Sequence, residues 1–112
     1  TSLIAINDEA ESVTSLGDGV LRDCIELTTA IFPVCTSTSI NTFKDSPVLT
    51  TVTMPLCADL GGTTGDDIVF DNISGQTITL TIPISRETCN GGNPDGDIVY
   101  LAANNTATII YV

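Results

Sequence analysis

The sequence GGTTGDDIVF at residues 61–70 returns thirty positions later as GGNPDGDIVY at residues 91–100. The similarity continues without a gap, because residues 71–82 and 101–112 both consist of a polar turn followed by an apolar run. Each copy is typical of a β-hairpin, in which a Gly/Asp loop leads into a short β-branched strand, a turn and a second strand. The predicted strands are residues 68–70 and 77–82 in the first copy and residues 98–100 and 107–112 in the second. The two units, residues 53–82 and 83–112, cannot bury their apolar faces alone, so we expect them to share one core.

Other short runs of β-branched residues precede this repeat, at residues 1–7, 20–27 and 48–54. Together with the repeat they predict about seven to nine short strands in one domain of residues 1–112. This spacing is typical of an all-β, two-sheet β-sandwich, either immunoglobulin-like or jelly-roll. The sequence therefore predicts a sandwich that contains an internal hairpin repeat.

The composition restricts the partners and the compartment. Three Lys plus Arg stand against fourteen Asp plus Glu, which gives a net charge of −11 and argues against binding to nucleic acid or anionic membranes. No apolar run approaches the length of about 18 residues that a membrane-spanning helix needs. A start at Thr1 indicates a processed mature chain or an excised domain.

The four cysteines, Cys24, Cys35, Cys57 and Cys89, are too widely spaced for an ordinary zinc site. An even number of cysteines in a small, lysine-poor β chain favours disulfides and hence an oxidising, extracellular compartment. Of the three possible connectivities we favour Cys24–Cys35 and Cys57–Cys89, since the first closes a local hairpin and the second joins the two copies of the repeat.

Acidic residues in the loops of the repeat suggest a calcium site. Oxygen-bearing side chains alternate in the second copy and recur in the first, which is the kind of ligand that Ca²⁺ prefers; they are Asn93, Asp95 and Asp97, and Asp66, Asp67 and Asp71. The alternative is a pair of Asp/Gly turns that carry solubilising charge. Calcium is the one cofactor that the sequence suggests.

No catalytic motif is present in the sequence. Histidine is absent, so a serine or cysteine nucleophile has no imidazole base. A phosphate-binding Gly-Lys-Ser/Thr loop is also absent, and the few aromatic residues occupy expected core positions rather than a saccharide platform. We therefore expect a protein that is not an enzyme. Asn72 and Asn104 match the N-glycosylation pattern, which matters only in a host that glycosylates.

Both ends of the chain are apolar and strand-like. Leu3, Ile4, Ala5 and Ile6 form one apolar run at the start, and residues 107–112 form another at the end. In a monomer these strands would pair within the sheet. Alternatively, residues 1–7 leave their own domain and complete the sheet of a neighbour, which resembles donor-strand polymerisation in pili.

The sequence thus favours a secreted, cell-surface structural protein that polymerises with itself into a filament through β-strand exchange or augmentation. An adhesive or glycan-binding module, in which calcium holds the acidic loops against a glycan or host surface, is the alternative. A small disulfide-bonded inhibitor or toxin is a third hypothesis, for which no functional loop can be named.

Overall fold

The fold was determined as a computed structural model that describes residues 4–61 and 69–112. These residues form short strands, one 3₁₀ turn and one α-helix. In chain order they are β1 (Ala5–Asn7), β2 (Ser15–Leu16), β3 (Thr29–Ile31), β4 (Ser37–Thr38), β5 (Thr51–Thr53), β6 (Asp59–Leu60), β7 (Thr77–Ile82), the 3₁₀ turn Ile84–Glu87, α1 (Gly96–Asn104) and β8 (Thr106–Tyr111).

The strands belong to two parallel sheets that the chain visits alternately. One sheet has the order β1-β3-β5-β7-β8, and the other has the order β2-β4-β6. Thr29 lies beside Thr51, and Ser15 lies beside Ser37, so one full turn of the chain takes 22 residues over these coils. The chain therefore winds as a stack of coils, a parallel β-solenoid, in which each of the first three coils contributes one strand to each sheet and the later coils add β7 and β8 to the larger sheet alone.

A third side of each coil has no regular strand but is held by backbone hydrogen bonds between coils. The Leu21 N–H donates to the Thr42 carbonyl at 3.0 Å, and the Phe43 N–H donates to the Val69 carbonyl at 2.9 Å. This side ends at residues with left-handed backbone, which have φ values of 57°, 58° and 62° at Asp23, Asp45 and Asn72 respectively. Asp and Asn tolerate this conformation better than other non-glycine residues, so they recur at the same corner of successive coils.

The core lies inside the coils, where equivalent residues of successive coils contact one another. Ala30 pairs with Val52 and Val52 with Leu80, and all three side chains are fully buried. Phe43 and Phe70 stack with their ring centroids 5.4 Å apart. Each inward position thus forms a column through the stack, and burial of apolar area in these columns stabilises the fold.

The predicted β-sandwich is wrong: the chain has parallel sheets and a helix, which makes it a mixed α/β fold. Hairpins need antiparallel neighbours, whereas a parallel neighbour needs a connection of about a dozen residues or more. The coils provide such connections. Each strand is followed by the rest of its coil before the chain returns to the same sheet, so the second strands of the two repeat copies, β7 and β8, lie side by side and parallel.

A helix replaces one of the expected strands. Residues 98–100 were predicted to form a strand, as were residues 68–70, but residues 98–100 lie in α1. The Asp95 carboxylate caps this helix by accepting the Asp97 N–H at 3.0 Å, and Ile98 and Leu101 are buried on one face. An Asp cap followed by apolar residues three apart favours a helix start over a strand.

The predicted disulfides are also wrong, because Cys24, Cys35, Cys57 and Cys89 are all free thiols. The pairing assumed a hairpin geometry. In the coils, Cys24 and Cys35 are instead separated by strand β3, whereas Cys35 and Cys57 occupy equivalent positions 22 residues apart in successive coils. The thiols that meet are therefore not the ones that the hairpin interpretation paired.

Candidate functional site

The strand β8 forms one open edge of the larger sheet. The Thr106 N–H donates to the Gln76 carbonyl at 2.8 Å, and the Val112 N–H donates to the Ile82 carbonyl at 3.0 Å. Because successive N–H groups of a strand point in opposite directions, the intervening N–H groups of Ala107, Ile109 and Tyr111 point away from β7. These groups are a template for a further strand.

The core is also uncovered at β8. The inward side chains of β7, Ile78, Leu80 and Ile82, are at most 1% exposed because β8 covers them. The corresponding inward side chains of β8, which are Ala107, Ile109 and Tyr111, pack against the core but are only half-buried. Ile84, Ile110 and Val112 add exposed apolar surface nearby. We call this surface, made by β8 with Ile84 and Val112, the β8 end.

Partial burial changes the acidity of one side chain at the β8 end. Burial raises the pKa of the Tyr111 phenol, and the nearby carboxylate of Glu87 raises it further. The phenol is thus neutral at physiological pH. The inward row of β8, which is Ala107, Ile109 and Tyr111, is therefore uncharged where it is exposed at the end of the stack.

The strand β1 forms the opposite edge. The Thr28 N–H donates to the Ile4 carbonyl at 2.8 Å, and the Asp8 N–H donates to the Ile31 carbonyl at 2.9 Å. By the same alternation the Ala5 N–H points away from β3. Ile6 is only partly buried, and Ile4 is 61% exposed. We call this surface, made by residues 4–7, the β1 end.

The predicted assembly strand is thus paired within its own chain. Ile4, Ala5 and Ile6 lie at or in β1, which pairs with β3 of the same chain, while Leu3 lies outside the described residues. The strands β1 and β8 occupy opposite edges of the larger sheet and do not pair with each other, as a closed monomeric sheet would require. The structure therefore brings the two apolar ends of the sequence to the two ends of the coil stack.

The residues of the predicted calcium site are dispersed into other roles. Asp71 forms an ion pair with Lys44 at 3.5 Å, and Asn93 is bridged to Asn90. Asp97 is buried and accepts the Val69 N–H at 2.8 Å. Asp66 and Asp67 lie outside the described residues. Across residues 4–61 and 69–112 no group of three or more acidic, histidine or cysteine side chains is arranged to hold a metal ion.

Asp95 lies in a buried polar cluster beneath the helix. Its Oδ2 atom is 3.6 Å from Nη1 of Arg86, and the thiol of Cys89 donates to the same oxygen at 3.8 Å. Burial raises the pKa of the Asp95 carboxyl, while the Asp97 N–H and the Arg86 charge oppose that increase. The cluster anchors the start of α1 to the 3₁₀ turn, and this role is structural.

Cys35 and Cys57 form a second buried cluster, in which one thiol hydrogen-bonds to the other. The hydrogen bond from Cys57 lowers the pKa of Cys35 to about 7, whereas the same bond together with burial raises the pKa of Cys57. Each thiol has one hydrogen, and its alternative acceptor is a backbone carbonyl, that of Ser37 at 3.2 Å from Cys35 and that of Asp59 at 3.5 Å from Cys57. Both side chains have no exposed surface, which separates them from solvent reagents.

A shallow polar cleft of about 310 Å³ crosses the smaller sheet. Hydroxyl groups and two carboxylates surround it, and its walls are Asp18, Ser37, Thr38, Ser39, Ile40, Asp59 and Gly61. None of these residues was singled out from the sequence. Among the described residues that line the cleft, none is an aromatic on which a sugar ring could stack.

The two predicted glycosylation sites are both on the surface. The Asn72 side chain is exposed, but its amide donates to Oδ1 of Asp45 at 2.8 Å. The Asn104 side chain is exposed at the end of α1 and donates to the Tyr100 carbonyl at 2.9 Å. Both amides therefore hold local structure, and a glycan on either would have to replace that hydrogen bond.

Comparison with known proteins gives no assignment: no family model matches the chain, and no curated protein or solved structure matches it significantly. Among the described residues no helix is long and apolar enough to cross a membrane. The features of the molecule that bear on its function are therefore the two ends of the stack and the surfaces between them.

Proposed function

We propose that the chain is a structural subunit that assembles with copies of itself, end to end, into a filament at the cell surface. One observation carries the proposal. The inward side chains of β8 are half-buried and its edge N–H groups point outward, so this end lacks the cover that every inner coil receives from its neighbour. The interaction is β-augmentation of open edges rather than exchange of residues 1–7.

The direction of the strands makes the two ends complementary. All strands of the larger sheet run parallel, so a second copy displaced along the stack can place its β1 beside β8 as one more parallel strand. Such an interface joins two different surfaces of the same chain. A head-to-tail contact without rotation does not close into a ring, so it produces an open filament.

The apolar surface at the ends supports the same arrangement. Ile84 and Val112 are 62% and 57% exposed at the β8 end, and Ile4 is 61% exposed at the β1 end. Joining the ends would bury these side chains together with the half-buried rows of β8 and β1. The placement at the cell surface rests on the acidic, threonine-rich composition, since free cysteines remove the disulfide argument for an oxidising compartment.

The test is a proline at the β8 end. Ala107→Pro removes an N–H that points away from β7, so it blocks a new neighbour while the β7–β8 hydrogen bonds remain. Ala107→Ser keeps the N–H and is the matched control. By negative-stain microscopy and sedimentation we expect filaments from the wild-type chain and from Ala107→Ser, and none from Ala107→Pro.

A mixing experiment separates blocked assembly from misfolding. Folded Ala107→Pro still offers its β1 end, so a small fraction of it added to wild-type chains should join filament ends and shorten them. Ala5→Pro should do the same from the opposite end. Discrete wild-type monomers under all conditions, or unchanged filaments from a folded Ala107→Pro, would contradict the proposal.

The second candidate is an adhesive or glycan-binding module, and the polar cleft between Asp18 and Asp59 favours it. Hydroxyls and carboxylates can hydrogen-bond to sugar hydroxyls, directly or through calcium. Calorimetric titration with calcium and with oligosaccharides tests it, using Ser37→Ala to alter the cleft. Absence of heat and of any melting shift would eliminate this candidate.

A further inference from the structure

The outward face of the larger sheet carries a regular row of threonines. Thr29, Thr51, Thr79 and Thr108 are paired in register on four neighbouring strands, and a second row, two residues further along, has Thr53 and Thr81 at its centre. We call these two rows the threonine face. It lies on the outward side of the larger sheet, and although Thr108 belongs to β8, a neighbour that pairs with the edge of β8 leaves this outward side open, so what the face binds is separate from the proposed assembly.

The hydroxyl groups of the threonine face are available to an external partner. Thr28 and Thr50, just before β3 and β5, donate their hydroxyls to backbone carbonyls at 3.2 and 3.0 Å. In the part of the chain that the structure describes, no such bond is made by the hydroxyls of Thr51, Thr53, Thr79 or Thr81. Each therefore has a methyl group and an unengaged hydroxyl, on a side chain that is partly exposed.

The face also differs from the rest of the surface in charge. The net charge of the chain is −11, yet the outward positions of β3, β5, β7 and β8 include no charged residue and no aromatic residue. A protein partner is disfavoured because threonine is under-represented among residues that dominate binding energy. A polysaccharide surface is disfavoured because no ring is present for a sugar to stack on.

The spacing of the row identifies a different partner. Neighbouring strands lie about 4.7–4.9 Å apart, so hydroxyls of threonines that share one rotamer repeat at about this spacing along the row. Hydrogen-bonded water oxygens lie about 2.75 Å apart, so tetrahedral geometry puts second-neighbour oxygens in ice about 4.5 Å apart. A row of four hydroxyls at a spacing within about a tenth of this repeat can hold water molecules in ice-like positions.

From this match the geometry points to an ice-binding face: we propose that the threonine face adsorbs to the surface of ice crystals and slows their growth. Side-chain methyl groups between the hydroxyls restrict the water held there, and the in-register pairing of the strands places one threonine of the row on each strand. The ligand is ordered water, and no ion or cofactor is required.

Ice recrystallisation in a frozen solution of the protein tests the proposal. We expect the wild-type chain to keep ice grains small, and Thr79→Lys and Thr51→Lys to lose this effect, because a long charged side chain in the middle of the row prevents close contact with ice. Thr14→Lys, at an exposed threonine outside the sheet, is the matched control and should inhibit as the wild type does.

Two further measurements distinguish loss of ice binding from loss of folding and from loss of assembly. Circular dichroism and the urea midpoint confirm that each lysine variant is folded, and Ala107→Pro, which blocks the β8 end, should still inhibit recrystallisation. Absence of inhibition by the wild type, equal inhibition by a folded Thr79→Lys, or binding to microcrystalline cellulose in place of ice would each overturn the proposal.

Discussion

Asp8 shows how one side chain fixes the path between two sides of a coil. Its carboxylate accepts the Val13 N–H at 2.8 Å and the Ser12 N–H at 3.2 Å, and it also accepts the Ser12 hydroxyl at 3.3 Å. These bonds, led by that from Val13, lower the pKa of Asp8 below its ordinary value of 3.8. From the sequence alone residues 8–12 (DEAES) are only an acidic stretch, because nothing local indicates which carboxylate turns inward.

A lowered pKa predicts a specific dependence of stability on pH. The folded chain binds the Asp8 proton more weakly than the unfolded chain, so this contribution is complete above the unfolded pKa of about 3.8 and is lost as pH falls through the folded pKa. Asp8→Asn should therefore lose stability at neutral pH and approach the wild type at about pH 2. Urea midpoints across this range test it, with the exposed Glu9→Gln as control; parallel wild-type and Asp8→Asn curves would contradict it.

The buried thiols predict an order of chemical reactivity. Cys89 is partly exposed, while Cys24, Cys35 and Cys57 are buried. Although its pKa of about 7 makes Cys35 the most readily ionised, a reagent cannot reach it in the folded state. A thiol-specific reagent followed by peptide mass spectrometry should label Cys89 first and the others only as urea unfolds the chain. Rapid labelling of Cys35 without urea would contradict the burial.

At the scale of the element, strand positions were more predictable than strand neighbours. The strand predicted at residues 77–82 is confirmed as β7, and residues 107–112 coincide with most of β8. Alternation of inward and outward residues is the same in parallel and antiparallel sheets, so it does not reveal direction. The hairpin interpretation assumed that adjacent strands in the sequence pair, which fails when each coil intervenes.

A stronger signal for the coils was present in the sequence. Residues 27–35 (LTTAIFPVC) and 49–57 (LTTVTMPLC) are near-copies at a spacing of 22, which is the length of one coil. The thirty-residue similarity is more conspicuous because its Gly/Asp loops are more distinctive, yet its two copies differ in structure, since only the second contains α1. The 22-residue period of these near-copies, which is also the period of the apolar columns in these coils, indicates a solenoid.

The alternation within β7 predicts unequal effects of neighbouring substitutions. Leu80 points into the core and is fully buried, while Thr79 points outward. Leu80→Ala should lower the free energy of unfolding by about 2–5 kcal/mol through lost packing and a cavity. Thr79→Ala should change it by no more than about 0.5 kcal/mol. Urea denaturation of the two variants measures the difference, and equal effects would contradict the inward orientation of Leu80.

At the scale of the whole molecule, the sequence predicted its acidity and its apolar termini but not where those termini would lie. Their placement at opposite ends of the stack follows from the direction of winding, which depends on contacts between residues one coil apart. Each coil contacts chiefly its neighbours, so the two ends are inherently less stabilised than the middle. This asymmetry between middle and end is the basis of the proposed assembly.

Charge predicts how that assembly should respond to salt. Each chain carries −11, so copies repel one another, and the repulsion is screened over about 10 Å at 0.1 M salt. Sedimentation at increasing sodium chloride should therefore show longer polymers, and lowering the pH towards the sequence pI of 4.1 should have the same effect. Polymers that dissociate as salt is added would indicate that ion pairs, rather than apolar edges, hold the subunits.

The equivalence of positions 22 residues apart also has a consequence for the gene. Because inward residues meet the same inward residues of the next coil, a tandem duplication of one coil inserts a segment whose two faces already fit their new neighbours. Length can then change in whole steps without redesign of the interior, and the longer spacings from β5 to β7 and from β7 to β8 show that extra residues are accommodated between the strands while the columns stay in register.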